Sequence, residues 1–551
     1  SDTLFLSGPA HELLFRGFCT LSRAKVRTRN LPSTLGDLHC GAVSKRRQNE
    51  SEQPMNALPT ELTQRDKLFI GGEWRDPANG DQQTLYASHT GEAFGSVVLG
   101  SNADVNDAIA AAKAAFNDGP WGQMTAKERA SVMRRFADAL EKRQDQIAQI
   151  TVLQNGGSLA MNQAVNAPWG VNVVRHYADM IEDMDFESPR DCANPNGTAD
   201  AVIRRIPRGV CAAIVPFNIS FIGGMAKLAP ALAAGCTFIQ KPSPETPLEA
   251  FLVAEAAQEA GIPDGVFNVV PADRDASEHL VAHPDVDMVA FTGSTAVGKQ
   301  VAATRSAQMK PCALELGGNA ASIVFEDMPL EAILPGLLGT SLMLNNGQAC
   351  IAQSRILVPR EQYETYVQAL GGAASHLIVG DPFDPETHLG PLVSEQHMNR
   401  VLAQIGAGVA EGARLVSGGK RAENLPDHLK GGYFVEPTVF ADVKNSMRVC
   451  QEEIFGPVIK IIPYDSEEEA IAIANDQPFG LSSSVWTADP ERASRVARKI
   501  VAGNIYINGA MTIDVNVPFA GLKESGLGAE CGPEGLSEYL QEQVLFTHKV
   551  A

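Results

Sequence analysis

The run Gly209-Val210-Cys211-Ala212-Ala213-Ile214-Val215 leads into a helix-forming stretch over 225–234 and then into Thr237-Phe238-Ile239-Gln240. Two short apolar runs separated by a helix predict a parallel strand pair, because parallel neighbours need a crossover and cannot be joined by a tight turn. The pattern continues. Thr246, Pro247 and Glu249 predict a second helix with Thr246 as N-cap, Pro247 at N1 and Glu249 at N3, ended by Gly261. Strands over 266–270 and 288–291 follow. The series reads as a nucleotide-binding βαβ array, although it has no G-x-G-x-x-G fingerprint.

Working outward, Thr125 and Glu128 form a capping box, and Val132, Met133, Phe136, Ala139 and Leu140 then fall on one helical face. Downstream the alternation repeats: a strand over 322–325, a helical stretch over 330–344, and strands over 355–358, 458–462 and 504–507. This predicts a second α/β domain. A length of 551 residues suits about three domains, and 44% hydrophobic with 20% charged residues describes an ordinary globular protein. No apolar run reaches the roughly 18 residues of a membrane span. A net charge of −20 argues against a nucleic-acid surface. Nine cysteines without a C-x-x-C pair, and eleven histidines without metal spacing, suggest reduced thiols and no metal site.

Residues 1–54 differ from the rest, with eight Lys/Arg against five Asp/Glu and a purely basic stretch between Leu13 and Gly36. They read either as an organellar transit peptide or as a non-native or upstream-translated leader ahead of Met55. The expected location is cytoplasmic, or the mitochondrial matrix if the transit reading holds.

Two segments carry candidate chemistry: Asn346-Gly347-Gln348-Ala349-Cys350, and Leu314-Glu315-Leu316-Gly317-Gly318. A thiol ionises near pH ~8.5 and needs local help to act as a nucleophile, and a carboxylate in a partly apolar setting can serve as a base near neutrality. With Ile214-Val215-Pro216-Phe217-Asn218, Phe291 to Gly298, Gln451-Glu452-Glu453-Ile454-Phe455-Gly456-Pro457 and Pro518 to Gly526, the chain from about Leu68 to about Phe546 resembles the aldehyde dehydrogenase superfamily.

The resemblance implies a Rossmann-like nucleotide-binding domain (62–187 and 207–317), a catalytic domain (318–530) and a small bridging sheet from segments 188–206 and 535–551. Within the last, 201–206 and 542–549 occupy the strand positions, implying a homodimer or homotetramer. It implies Cys350 as nucleophile, Glu315 as deacylating base, Asn218 as oxyanion donor and Lys227 in proton relay. Cofactor contacts are implied for Ile214, Phe217, Lys241, Glu245, Gly293, Ser294, Gly298, Glu453 and Phe455. An acid three places beyond the lysine is common in NAD-preferring members. Here that place is Pro244 and the acid is Glu245, which favours NAD over NADP.

The expected reaction oxidises an aldehyde to a carboxylic acid through a cysteine thiohemiacetal and thioester. A coenzyme A-acylating relative and a non-enzymatic binding protein on the same fold are the alternatives, disfavoured by Glu315 and by the joint presence of Cys350, Glu315 and Asn218. Ile219, Gly223, Ala226 and Ile513 stand where small-aldehyde members carry bulkier side chains. No Arg or Lys lies in 218–226 or 509–517, so a wide aliphatic tunnel for bulky or long apolar aldehydes is expected.

Overall fold

The computed structural model describes residues 58–192, 199–509 and 512–548; the expected leader and Lys549 of the expected bridging strand lie outside them. The elements below belong to the unit Thr60–Ala551. Its first large sheet has eight strands in the spatial order Gly526–Leu527, Cys312–Glu315, Met288–Thr292, Val210–Ile214, Thr237–Lys241, Phe267–Val269, Leu68–Ile70 and Glu73–Arg75. The five from Cys312–Glu315 to Phe267–Val269 are parallel. The remaining edge pairings are antiparallel. Val210–Ile214 and Thr237–Lys241 are buried almost without alternation, as strands covered by helices on both faces must be.

Val210–Ile214 has Thr237–Lys241 on one side and Met288–Thr292 on the other. The connection leaving Val210–Ile214 therefore runs one way and that leaving Met288–Thr292 the other, which opens a crevice at the carboxyl ends of the strands. Ile214, Lys241, Thr292 and Glu315 are the last residues of four neighbouring strands.

Two local expectations are corrected. The helix after Asn218 spans Ser220–Ala234 and begins earlier than 225. The next helix, Leu248–Ala260, takes Pro247 as its N-cap, and the Thr246 hydroxyl is buried without a partner. Tertiary bonds displace the capping box. Gln154 Oε1 accepts from Leu248 N–H at 3.1 Å, and Glu249 turns inward to accept from Ser220 Oγ (2.7 Å), Thr151 Oγ1 (2.8 Å) and Gln154 Nε2 (2.6 Å). Gly261 ends the helix in the left-handed region, as its sequence position implied. The Thr125–Glu128 box forms in both directions.

The second sheet runs Arg414–Ser417, Thr438–Ala441, Val458–Tyr464, Arg355–Pro359, Ala321–Val324, Ser482–Trp486 and Asn504–Ile507, parallel except at its first pairing. The helix expected over 330–344 stops at Gly339. The chain then turns through Asn345 (φ 48°) and Asn346 (φ 60°), a left-handed kink that a continuing helix could not contain. A third sheet pairs Ala199–Pro207 with Leu540–His548 on one side and Glu187–Arg190 on the other. Its outer strand exposes Val544, Leu545 and Phe546, the last at 61%.

Candidate active site

Four sequence-identified groups come together where the first sheet's carboxyl ends meet the loops that precede the second sheet's strands. Asn218 follows strand Val210–Ile214, and its Nδ2 donates to Gln348 O at 2.9 Å, two residues before Cys350. An amide nitrogen has two hydrogens, so one anchors the side chain and the other stays available. The Asn218 carbonyl is itself held by Asn155 Nδ2 and Asn345 Nδ2, each at 3.0 Å. Gln348 Oε1 accepts from Val393 N–H at 3.0 Å, and Asn346 Nδ2 donates to Gly156 O and Pro391 O. A set of buried amides thus fixes the loop that carries the thiol. Asn346 and Gln348 stand in the quoted cysteine segment and Asn218 was singled out, but their pairing with partners up to 193 residues away leaves no trace in the sequence.

Cys350 is half-buried, and burial followed by the Glu453 and Glu315 carboxylates pushes its thiol well above the usual range, opposed by its own backbone N–H. Glu315 ends strand Cys312–Glu315 and is 6% exposed. Burial, then the nearby Glu530 carboxylate, raises its pKa well above the ordinary carboxylate value, with Lys227 opposing. Its Oε2 is buried without a hydrogen-bond partner. Lys227, 1% exposed on helix Ser220–Ala234, donates to Thr292 Oγ1 at 2.6 Å and pairs with Glu530. Sequence reasoning missed Glu530. A buried ammonium on an apolar helix demands a counter-charge. The sequence offers 65 acidic residues and no means of choosing among them.

Of the expected cofactor residues, Ile214 and Lys241 end neighbouring strands of the first sheet. Lys241 is buried, and its ammonium is pushed down to about 8 by burial against the pull of Glu245 and Asp273. Ser243 Oγ donates to exposed Glu245 at 2.5 Å. Gly293 leads into helix Thr295–Ala307, whose N-cap Ser294 accepts from Val297 N–H. A Cβ on Gly293 would lie 2.6 Å from the Phe291 ring. Gly298 is buried, and a Cβ there would strike Leu316 at 2.3 Å, so it brings helix and strand together. Glu453 accepts from Gly318 N–H at 2.9 Å, and burial raises its carboxyl to about 7 against that bond, Arg400 and Lys460. A Cβ on Gly317 would come 2.6 Å from Glu453 Oε2. Phe455 and Phe217 meet edge to face at 5.7 Å.

Around the thiol the wall is apolar: Leu344, Ile351 and Leu481 pack with Met161, Ile513 and Phe519. Trp169 Nε1 donates to Ile513 O at 3.3 Å. Among the described residues no cluster of His, Cys, Asp or Glu could hold a metal, and no helix is long and apolar enough to cross a membrane.

A family model described as aldehyde dehydrogenase family matches residues 74–545. The chain belongs to the aldehyde dehydrogenase family. It is accordingly an enzyme that oxidises an aldehyde to a carboxylic acid. A geranial dehydrogenase of Castellaniella defragrans is 43% identical over 472 residues, covering 86% of this chain and 96% of the relative. A 3-succinoylsemialdehyde-pyridine dehydrogenase of a Pseudomonas species is 39% identical, covering 86% and 97%. Among solved structures, the Mycobacterium tuberculosis aldehyde dehydrogenase complexed with NAD+ superposes with a TM-score of 0.84 at 41% identity, covering 88% of this chain and 98% of that one.

Proposed function

We propose that this aldehyde dehydrogenase is hydrolytic and uses NAD, and that it acts on bulky or long apolar aldehydes. The observation that carries the mechanism is the bond from Asn218 Nδ2 to Gln348 O, which sets an oxyanion donor beside Cys350. Cys350 Sγ adds to the aldehyde carbon, and the alkoxide oxygen receives the free N–H of Asn218 together with the Cys350 backbone N–H. The thiol proton needs an acceptor in this acidic setting. Glu315, with an unpartnered oxygen and a raised pKa, can take it and can later take one from the water that hydrolyses the thioester. Lys227 and Glu530 behind it can pass that proton outward.

The crevice suits a dinucleotide. Lys241 offers a buried ammonium to ribose hydroxyls, Glu453 a carboxylate to the other ribose, and the helix after Gly293 a set of N–H groups to phosphate. Gly293 and Gly317 leave the backbone close to any ligand there. When bound, NAD supplies the acceptor by which the thiohemiacetal on Cys350 becomes a thioester. Glu245 beside Lys241 supports NAD over NADP by repelling a 2′-phosphate.

The apolar wall around Cys350 supports the substrate class. Each buried methylene adds about 0.8 kcal/mol, so a few extra carbons move kcat/KM by about tenfold or more. The test is a panel of terpenoid, aromatic and medium-chain aldehydes against acetaldehyde and succinate semialdehyde, with NAD and NADP in parallel. Either small or carboxylated aldehyde as best substrate overturns the assignment. The exposed outer strand Leu540–His548 supports assembly into a homodimer or homotetramer.

A further inference from the structure

The turn that presents Glu453 and Phe455 is held from behind by one face of helix Glu395–Ala410. His397, 4% exposed, places Nε2 2.7 Å from Phe455 O. A carbonyl can only accept, so Nε2 carries the hydrogen. On the other side of the ring, Arg400 approaches Nδ1 at 2.6 Å. A guanidinium can only donate, so Nδ1 is bare and the ring is neutral in a single tautomer. Burial, reinforced by Arg400, holds the ring's pKa down to about 4. Two turns along, Gln404 Nε2 donates to Glu453 O at 3.3 Å. Residues three, four and seven apart share a helical face, so one side of this helix grips two carbonyls of the turn, those of Glu453 and Phe455.

The grip has something to resist. Phe455 has φ 59°, a left-handed conformation that an aromatic residue keeps only when its surroundings impose it. The His397 ring also packs against Phe217 (5.6 Å) and Phe455 (6.0 Å). We propose that His397, assisted by Gln404, is a positioning residue for cofactor binding: a latch that holds the Glu453–Phe455 turn in its strained form. This rests on the reading of Glu453 and Phe455 as the residues that receive the nicotinamide ribose. Without the latch Phe455 relaxes toward negative φ, and Glu453 loses its alignment on Gly318 N–H.

The test measures NAD affinity of the full chain by calorimetry for His397→Ala, His397→Gln, Gln404→Leu and Glu453→Ala, with KM and kcat alongside. His397→Ala is expected to weaken NAD about tenfold and Gln404→Leu about threefold, each the loss of one partly buried hydrogen bond. The KM for NAD should rise while kcat at saturating NAD changes little. His397→Gln, which keeps a donor for the carbonyl, should recover most of the affinity. If His397→Ala does not fold, Gln404→Leu decides by the same criterion. NAD affinity within twofold of the parent in His397→Ala and Gln404→Leu, with Glu453→Ala weakened, overturns the latch alone. So does a His397→Gln that binds no better than His397→Ala. An unaffected Glu453→Ala overturns the ribose reading and the latch with it.

Discussion

The Cys350 thiol is surrounded by acid. Burial, then Glu453, Glu315 and Glu530, all oppose its ionisation, so the cofactor-free enzyme should keep it protonated at neutral pH, and alkylation by iodoacetamide should be slow at neutral pH and speed up only beyond the ordinary thiol range. Cys350→Ala should abolish turnover and leave NAD binding within about twofold, since the proposed mechanism uses the thiol as nucleophile and not as a cofactor contact. Sustained activity in that variant would remove Cys350 from the chemistry. Glu315→Gln should give one burst of reduced cofactor and then stall, because the amide cannot accept a proton from the deacylating water. Asn218→Ala should lower kcat by about 100- to 1,000-fold, the usual effect of losing one oxyanion donor. A pH effect follows from Glu453. Its carboxyl, raised to about 7 by burial, must be ionised to accept from ribose hydroxyls, so NAD affinity should fall as pH drops through about 7. Glu453→Gln should flatten that profile; an unchanged titration would place the transition on another group.

Among elements, the helix that carries Lys227 behind Asn218 is fastened by a buried acid. Glu249 accepts three hydrogen bonds that tie helices Gln144–Asn155, Ser220–Ala234 and Leu248–Ala260 together. Glu249→Ala leaves two buried donors, Ser220 Oγ and Gln154 Nε2, without an acceptor, while the Thr151 hydroxyl keeps Ile147 O, and it should destabilise the protein by about 2 kcal/mol or more, read as a fall in denaturant midpoint. Glu249→Gln, which keeps shape and an acceptor, should cost less. The same residue marks where sequence reading succeeds and fails. Strands Val210–Ile214 and Thr237–Lys241, and the Thr125 capping box, are decided by near neighbours and periodicity, and they were legible. Thr246-Pro247-x-Glu249 carried the right local signal, but Gln154, 94 residues away, supplied a better cap. Lys227 was named but Glu530, 303 residues on, was not. Cys350, Glu315 and Asn218 were legible as motifs, whereas the bonds by which Asn155 and Asn345 hold the Asn218 carbonyl act through the backbone and leave no pattern in the chain.

For the molecule as a whole, the third sheet offers a further test. Strand Leu540–His548 exposes Val544, Leu545 and Phe546 in a row on an unpaired edge, a surface that soluble proteins usually cover. Phe546→Asp should shift the assembly toward smaller species by sedimentation, with intact secondary structure. An unchanged sedimentation coefficient would place the contact elsewhere.

The first sheet is also bounded by the two extremes of the described chain. Leu68–Ile70 and Glu73–Arg75 form one margin and Gly526–Leu527 the other, where Gly526 pairs with Glu315 itself. Ser525 stitches that margin shut: its carbonyl accepts from Leu316 N–H at 2.8 Å, and its hydroxyl donates to Gly317 O at 2.7 Å. A nascent chain leaving the ribosome has therefore made the strand bearing Glu315 some two hundred residues before the segment that closes it. Until then that strand is a bare hydrogen-bonding edge, the kind of surface chaperones shield and aggregates recruit. Synthesis that halts just short of Ser525 would yield a protein with Cys350, Asn218 and Glu315 all translated, yet with Glu315 on an unfinished strand.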